Sequence, residues 1–392
     1  MNDASAVEAF RRSVRVFLRD HIAPGVEQWE RDGGWPVRDL LPEFGKRHLL
    51  GLTFDRRHGG AGLDFRYARV LGEELGSLDC GGVGMSVVTH TDMSTPALAS
   101  HGSAEAAQEF LVPAVAGTAV GAIALTEPGG GSDFAAIGTR LVADGSDYLV
   151  SGRKSYITNG SVADFHVTLC RSYDDRSVAE ALTLVVIPAA APGVSATPYR
   201  DKLGYWSCDH AEVTFDRVRV PAAYVIGGIG LGYPIEAEQL IRERLMSAIM
   251  WTAQARRLLA RACERATEQR TFGARLLDHD AIGGRLADID ATVTLLDAHL
   301  DRCVAAVTGS GAVSKLALVA KLVAGRAWAA AADCALQVFG GGGYLREVGL
   351  QRAYRDSRAT ALAGGSEETL RRSLVGHLAP SGPAGRERVT IA

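Results

Sequence analysis

The feature that most constrains the fold is a change in the residue pattern along the chain, from helical periodicity to short β-type runs and back to helical periodicity. Between about residues 120 and 220, short apolar runs rich in β-branched residues alternate with Gly, Pro, Asn and Asp turns, which is typical of an antiparallel β domain. We therefore predict a sheet domain between two helical ones. The clearest runs are Tyr148–Val150, His166–Cys170, Leu182–Ile187 and Glu212–Phe215.

The part of the chain after this block has the pattern of a helical bundle. Pro234 suits the first turn of a long helix, because its fixed φ is already helical. The Ala-rich residues 312–338 also follow a helical pattern. Between these segments, apolar residues recur at steps of three and four, which predicts one apolar stripe along a helix. The stripe consists of Leu286, Ile289, Val293, Leu296, Leu300 and Val304.

These patterns predict an α+β multidomain protein. An N-terminal helical domain is expected over residues 1–119, a central antiparallel β domain over 120–231, and a C-terminal helical bundle over 232–378. Residues 379–392 are rich in Pro, Gly and charge, so we predict a mobile tail there.

Composition indicates a globular protein and excludes several functional classes. The 392 residues are 47% hydrophobic, and the net charge is only −3, so no basic surface for nucleic acid or an anionic membrane is expected. No apolar run approaches about 18 residues, and the amphipathic N-terminus contains acids, so we predict no membrane span, no signal peptide and a cytoplasmic location. The six cysteines lack metal-site spacing and are predicted to be reduced packing residues, with no metal site.

Two glycine clusters have the composition of nucleotide-binding loops but not their pattern. Gly129–Gly131 is followed by Phe134 where a dinucleotide fingerprint needs its third glycine. Gly340–Gly343 follows a predicted helix, whereas the fingerprint follows a strand. Taken alone, either cluster is equally well explained by tight turns. We therefore expect no Rossmann-type site.

Six motifs, taken in order, resemble those of the acyl-CoA dehydrogenase family. Ala124–Asp133 (ALTEPGGGSD) is similar to the family signature, and Gly152–Gly160 (GRKSYITNG) is similar to the family's GxKxWITNG. The resemblance covers about residues 5–378 and implies a helical N-terminal domain, a central β domain, a C-terminal four-helix bundle and FAD as cofactor. The remaining motifs are Phe215–Pro221, Arg270–Gly273, Gln337–Gly341 and Arg355–Asp356.

The resemblance also implies which residues hold FAD, which lies extended between the β domain and the bundle in this family. Each threonine of the set, taken alone, would be read as a strand surface residue. Ser132 would contact both the cofactor and the phosphopantetheine chain of the substrate. Residues matched to the flavin are Leu125, Thr126, Tyr156, Ile157 and Thr158. Residues matched to the rest of FAD are Arg270, Phe272, Gln337, Gly340, Gly341, Ser366 and Glu368.

Some of these contacts usually come from a neighbouring subunit, so the resemblance implies a homotetramer or a homodimer. The sequence departs from the family at Gln269, which stands where an FAD-contacting arginine is usual, and at Ile241 and Trp206. These departures leave the FAD contacts at that end, and the recognition of the acyl carrier, as open questions.

The catalytic base is where the sequence departs from the family's commonest pattern. The usual glutamate near the C-terminus is replaced by Gly364, but a minority, including enzymes resembling isovaleryl-CoA dehydrogenase, carry it on the long helix after the β domain, where Glu243-Arg244 stands. We predict Glu243 as the base, with Gly364, whose N–H donates to the thioester carbonyl, and Arg244, which orients the base, as further catalytic residues. Ala363, Gly364 and Arg244 are also predicted substrate contacts. Burial should raise the pKa of Glu243, and Arg244 should oppose the rise. A solvated helix glutamate paired with an arginine is the plainer alternative.

The implied reaction is α,β-dehydrogenation of an acyl thioester. Glu243 removes the α proton, the β hydride passes to flavin N5, and an enoyl thioester leaves. The acyl group is carried by CoA or by an acyl or peptidyl carrier protein, and the electrons go to an electron-transferring flavoprotein or to oxygen. Two other readings stay open: a flavin monooxygenase of the same fold acting on a small amine or another non-thioester substrate, and a flavin-free binding protein.

Overall fold

The order of helices, sheet and helices is the one that the sequence predicts. The computed structural model describes residues 3–309 and 313–378. The predicted mobile tail, residues 379–392, lies outside them. The N-terminal helices are α1 (Asp3–Phe17), α2 (Val26–Asp32), α3 (Val37–Lys46), α4 (Phe65–Gly76), α5 (Gly81–Val88), α6 (Pro96–His101), α7 (Ala104–Ala106) and α8 (Val112–Val115).

The central domain is built on one eight-stranded sheet. The four runs picked out in the sequence lie in its strands, which confirms those predictions. The order of strands is β6-β7-β3-β2-β4-β5-β8, and β1 pairs with β4. The elements are β1 (Gly121–Ala124), β2 (Arg140–Asp144), β3 (Asp147–Thr158), β4 (Phe165–Arg171), α9 (Val178–Ala181), β5 (Leu182–Pro188), β6 (Val194–Pro198), β7 (His210–Pro221) and β8 (Val225–Ile226).

Most strand pairs of the sheet are antiparallel, as the sequence predicts, but two pairs are parallel. β1 runs parallel to β4, with Gly121 opposite Phe165. β2 also meets β4 in parallel, at Arg140 and Arg171. The other described pairs of this sheet are antiparallel. A parallel pair needs a long crossover connection, and the β2–β3 hairpin lies between β1 and β4 in the chain.

The C-terminal domain is helical, and its long helices have the predicted pattern. Pro234 lies in the first turn of α10, and all six residues of the predicted apolar stripe are buried on α11. Helix α10 packs against α11 and α12, and α14 packs on α12. The elements are α10 (Gly232–Glu268), β9 (Arg270–Thr271), β10 (Ala274–Arg275), α11 (Asp280–Thr308), α12 (Ser314–Phe339), α13 (Leu350–Ser357) and α14 (Glu367–Leu378).

Helix α10 connects the three parts of the molecule. Besides its bundle partners, it contacts α4 of the N-terminal helices and β5 of the sheet. Side chains on its first half therefore enter the space between sheet and bundle. Among the described helices, none has the length and apolar character needed to cross a bilayer. The six cysteines are unpaired, and all but Cys263 are buried.

Candidate active site

A cleft of about 650 Å³ lies where the sheet, α10 and the turn before α14 meet. It brings together predicted site residues from three distant parts of the sequence. Those from the sheet side are Leu125, Thr126, Ser132, Tyr156, Ile157 and Thr158. Those from the helical side are Glu243, Arg244, Ala363 and Gly364.

Glu243 reaches this cleft from α10 and meets the turn at Gly364 and Gly365. Both glycines have positive φ, +63° and +89°, a conformation that favours glycine. A Cβ added to Gly364 would lie 3.2 Å from Oε1 of Glu243. A Cβ added to Gly365 would lie 3.7 Å from Nη2 of Arg244. A side chain on Gly364 would therefore crowd the end of Glu243, whereas at Gly365 the φ of +89° is the constraint that favours glycine.

Burial determines the electrostatics of this pair. Glu243 is 8% exposed, so it is not a solvated helix glutamate. Burial raises the pKa of its carboxyl above the ordinary value, while the charges of Arg244 and Lys321 partly oppose the rise. Burial also lowers the pKa of Arg244. Within the described residues, Nε of Arg244 is buried and has no hydrogen-bond partner. The site thus places a buried carboxyl with a raised pKa beside a buried guanidinium group.

The sheet side of the cleft presents an aromatic face beside hydroxyl groups. Tyr156 has a φ of +60°, is 67% exposed, and stacks on Tyr199 with ring centroids 5.5 Å apart. The N–H of Ser155 donates to the carbonyl of Thr126 at 2.9 Å, which ties the loop after β1 to β3. Thr158 lines the same wall. Such a surface suits a flat ring system with polar edges.

The other predicted site residues lie away from the cleft in this chain. Phe272, between β9 and β10, has a φ of +50° and is 98% exposed. A Cβ added to Gly340 or Gly341 would meet no atom of residues 3–309 and 313–378 within 4 Å. These surfaces are open in a single chain. The residues that do not line the cleft are Arg270, Phe272, Gln337, Gly340 and Gly341, together with Ser366, just before α14, and Glu368, in its first turn.

Lys321, on α12, belongs to the site although the sequence analysis does not single it out. It is 1% exposed, and its Nζ donates to the carbonyl of Gly365 at 2.6 Å and to that of Thr360 at 3.1 Å. The signal in the sequence that could have identified Lys321 is its position on the helix. It shares the face of Ala324 and Trp328, both buried, so the 3.6-residue period puts a lysine on the core side of α12.

Glu236 is a second buried carboxyl, two turns before Glu243 on α10. It is 0% exposed, and Nε2 of Gln239 donates to its Oε2 at 3.2 Å. In the described part of the chain, its Oε1 is buried with no hydrogen-bond partner. Burial, and then the charge of Glu243, raise the pKa of Glu236 well above its ordinary value. The carboxyl of Glu236 therefore favours its neutral form more strongly than an exposed glutamate does. The seven-residue spacing of the two glutamates was its signal in the sequence.

Comparison with known proteins identifies the family. Residues 5–118, 122–218 and 230–378 match the N-terminal, middle and C-terminal domains of acyl-CoA dehydrogenases, respectively. The chain belongs to the acyl-CoA dehydrogenase family. A curated relative, the mitochondrial long-chain specific acyl-CoA dehydrogenase of Sus scrofa, is 31% identical over 369 residues, which are 94% of this chain and 85% of the relative.

Solved structures of acyl-CoA dehydrogenases have the same fold. One from Geobacillus kaustophilus superposes with a TM-score of 0.92 at 30% identity, covering 97% of this chain and 99% of that one. A glutaryl-CoA dehydrogenase from Mycobacterium smegmatis, in complex with FADH2, has a TM-score of 0.88 at 24% identity and covers 96% and 95% of the two chains. At 24% identity, the second comparison shows only that the fold is shared.

As a member of the acyl-CoA dehydrogenase family, the protein is an oxidoreductase that acts on CH–CH bonds, and its cofactor is FAD. The cleft fits that cofactor in the chemistry of its walls. The exposed face of Tyr156 and the hydroxyls of Thr126 and Thr158 suit an aromatic ring with polar edges, and the cleft lies at the predicted place between sheet and bundle.

Proposed function

We propose that this protein dehydrogenates an acyl thioester between Cα and Cβ, with Glu243 as the base that takes the α proton. The observation that carries the proposal is the 3.2 Å separation between Oε1 of Glu243 and the position of a Cβ on Gly364. By the resemblance of its motif to the family's, Gly364 stands where the commonest glutamate is expected. The carboxylate of Glu243, which extends from α10, therefore lies beside the position that the base occupies in the commoner subtype of the family.

The chain's own groups fit the proton transfer. Glu243 in its charged form accepts the α proton, and the electron pair of that C–H bond forms the new Cα=Cβ bond as the β hydrogen leaves with its own pair. The N–H of Gly364 would donate to the thioester carbonyl, where negative charge develops. The raised pKa of Glu243 favours holding the proton after transfer. When bound, FAD supplies the acceptor for the β hydride.

The same proposal assigns the cofactor contacts. Leu125, Thr126, Tyr156, Ile157 and Thr158 would hold the flavin, because they line the sheet wall of the cleft opposite Glu243. Ser132 would contact the cofactor and the pantetheine arm of the substrate, and Ala363 and Arg244, which line the same cleft, would contact the substrate.

We further propose a homodimer or homotetramer in which one subunit completes the cofactor site of another. Phe272 supports this, since a large apolar side chain that is 98% exposed in one chain is suited to a contact with a second. From the neighbouring subunit or from the same one, the remaining FAD contacts would be Arg270, Phe272, Gln337, Gly340, Gly341, Ser366 and Glu368.

Acyl-CoA is the substrate class expected for the family. A thioester on an acyl or peptidyl carrier protein would present the same pantetheine arm and is the second option at the same site. An electron-transferring flavoprotein is the proposed electron acceptor, with oxygen as the alternative. The exposed faces of Tyr156 and Leu203 at the mouth leave room for a partner to approach the flavin.

The test is anaerobic mixing of the purified protein with a panel of acyl-CoA and acyl-carrier thioesters while the flavin absorbance is followed. Glu243→Gln is the test variant, and Glu238→Gln, which changes an exposed glutamate of the same helix, is the matched control. We expect one thioester to bleach the wild type and the control but not Glu243→Gln, with FAD bound in all three. No bleaching by any thioester, with oxygen consumption once a reductase is supplied, would instead support a monooxygenase.

A further inference from the structure

We propose that Lys321 is a positioning residue for this reaction: its ammonium group fixes the Gly364–Gly365 turn against Glu243 and sets the charge around the base. The inference rests on the proposed function. Nζ of Lys321 donates to the carbonyl of Gly365 at 2.6 Å and to that of Thr360 at 3.1 Å. One side chain therefore holds the segment 360–365 at two points, and Gly364 lies between them.

The closeness of Lys321 to Gly364 makes this link specific. A Cβ added to Gly364 would lie 3.7 Å from Cε of Lys321 and 3.2 Å from Oε1 of Glu243. The lysine stem and the glutamate thus approach the same glycine from two different helices. Any shift of the turn would change the direction of the Gly364 N–H and its distance from Glu243. A misplacement of about 1 Å at a reacting group can cost about 100-fold in rate.

The burial of Lys321 indicates a role beyond packing. Burying an ammonium group is unfavourable unless the charge is compensated. The hydrogen bonds described for Nζ go to two neutral carbonyl oxygens. The positive charge is therefore available to act on Glu243, and it holds the pKa of that carboxyl lower than burial alone would.

The charged groups around Lys321 come from two neighbouring elements. From α10, Glu243 raises the pKa of Lys321 and Arg244 lowers it; from α14, Glu367 raises it. The ring of Trp251, also on α10, lies 5.5 Å from Nζ. Burial is the largest effect and brings the pKa of Lys321 to about 8. The ammonium is thus charged at neutral pH and loses its charge as the pH rises past about 8.

The pH dependence separates this role from simple packing. Without the positive charge, the pKa of Glu243 rises, so a larger fraction of the base is protonated at a given pH. In variants that remove the charge, the acid limb of the flavin-reduction rate should move upward by about one pH unit. The wild type should also lose rate as the pH rises past about 8, and neutral variants should lack that limb.

The experiment uses the FAD-bound protein and the thioester that bleaches the wild type, with reduction rates measured from about pH 6 to about pH 10. The variants are Lys321→Met, which removes charge and donors, Lys321→Gln, which removes the charge but keeps a donor, and Lys321→Arg, which keeps the charge. Lys315→Met removes an exposed lysine of the same helix and is the matched control.

We expect Lys321→Met to be about tenfold or more slower at neutral pH. Both neutral variants should show the displaced acid limb, whereas Lys321→Arg and Lys315→Met keep the wild-type limb. If Lys321→Met does not fold, Lys321→Gln gives the same reading. Wild-type rates and pH limbs in the neutral variants would overturn the inference. If no thioester reduces the wild type, the proposed function itself fails, which is a distinguishable result.

Discussion

Two glycine-rich segments of this protein, the turn at Gly364–Gly365 and the run Gly340–Gly342, differ in what surrounds them. In the turn, added Cβ atoms would meet Glu243, Lys321 and Arg244 of the same chain. In the run, added Cβ atoms would meet nothing within 4 Å. In the first segment, neighbouring side chains of the same chain lie where larger residues would extend. In the second segment Gly340 has a φ of +60°, but no neighbouring side chain among the described residues accounts for Gly341 and Gly342.

This difference separates the part of the site that one chain forms by itself from the part that faces a neighbouring molecule. The base, the turn and the buried lysine form one packed cluster, so the proposed proton transfer needs one subunit. The open glycine run lies on the surface with Gln337 and fits a role toward a neighbouring molecule, for which we propose the FAD of a second subunit. A substitution in each segment should therefore damage a different property.

The largest effect is expected from Gly364→Ala. The new methyl would lie 3.2 Å from Oε1 of Glu243, on a residue whose φ is +63°, so the turn or the glutamate must move. We expect the rate of thioester-driven flavin reduction to fall about 100-fold while FAD stays bound. Stopped-flow reduction and the flavin-to-protein ratio measure the two quantities. Gly284→Ala, on α11 with nothing within 4 Å, is the control. An unchanged rate would show that the turn tolerates the methyl.

A smaller and different effect is expected from Gly341→Ala. No atom of the described residues lies within 4 Å of the new methyl, so the fold should be unchanged. If this run contacts FAD of another subunit, the methyl should weaken cofactor binding by about tenfold, a difference of about 1.4 kcal/mol. Equilibrium titration of the apoprotein with FAD gives the affinity. Wild-type affinity would separate this run from the cofactor and remove one support for the oligomer.

Glu236→Gln should change stability rather than catalysis. The folded-state pKa of Glu236 is raised, so above the ordinary glutamate value the unfolded chain binds fewer protons than the folded one, and stability falls as the pH rises. The loss is at most about 1.4 kcal/mol per pH unit. Glu236→Gln removes it, so the variant's advantage in Tm should grow from about pH 5 to about pH 8. A Tm difference independent of pH would show that Glu236 does not titrate in this way.

The smallest effect is expected from Arg326→Ala, close to the turn but on the surface. Nη2 of Arg326 lies 3.1 Å from Oε2 of Glu367, and the arginine side chain is 48% exposed. Exposed ion pairs contribute little, so the free energy of unfolding should change by less than about 0.5 kcal/mol, with an unchanged reduction rate. Chemical denaturation measures the first quantity. A large rate loss would mean that this surface pair, rather than Lys321, holds the turn.

The parts of the fold that sequence periodicity could predict are those governed by local burial. The stripe from Leu286 to Val304 is buried because a 3.6-residue period brings these side chains to one face of α11. The parallel pairing of β1 with β4 could not be predicted in the same way. Gly121 and Phe165 become neighbours through a crossover connection, and neither strand carries a local signal for its partner.

The candidate site also has a part that the sequence could predict and a part that it could not. The motifs were sufficient to predict that Glu243 and Gly364 meet, and they do. Lys321 was missed because a lysine in an Ala-rich helix is most often solvated, and only the packing of α12 against α10 buries it. The contacts of Gln337 and Phe272 cannot be read from one chain, since both residues are exposed in it.

The most direct test of the account is exchange of the substrate's α hydrogen with solvent deuterium, since it reports on the base without requiring hydride transfer. The FAD-bound wild type, Glu243→Gln and Glu238→Gln would be incubated without oxygen in D₂O with a saturated acyl thioester, and deuterium at Cα followed by mass spectrometry. If Glu243 is the base, the wild type and Glu238→Gln exchange the α hydrogen, and Glu243→Gln exchanges it about 100-fold or more slowly. Undiminished exchange in Glu243→Gln, with FAD still bound, would contradict that assignment and place the base elsewhere.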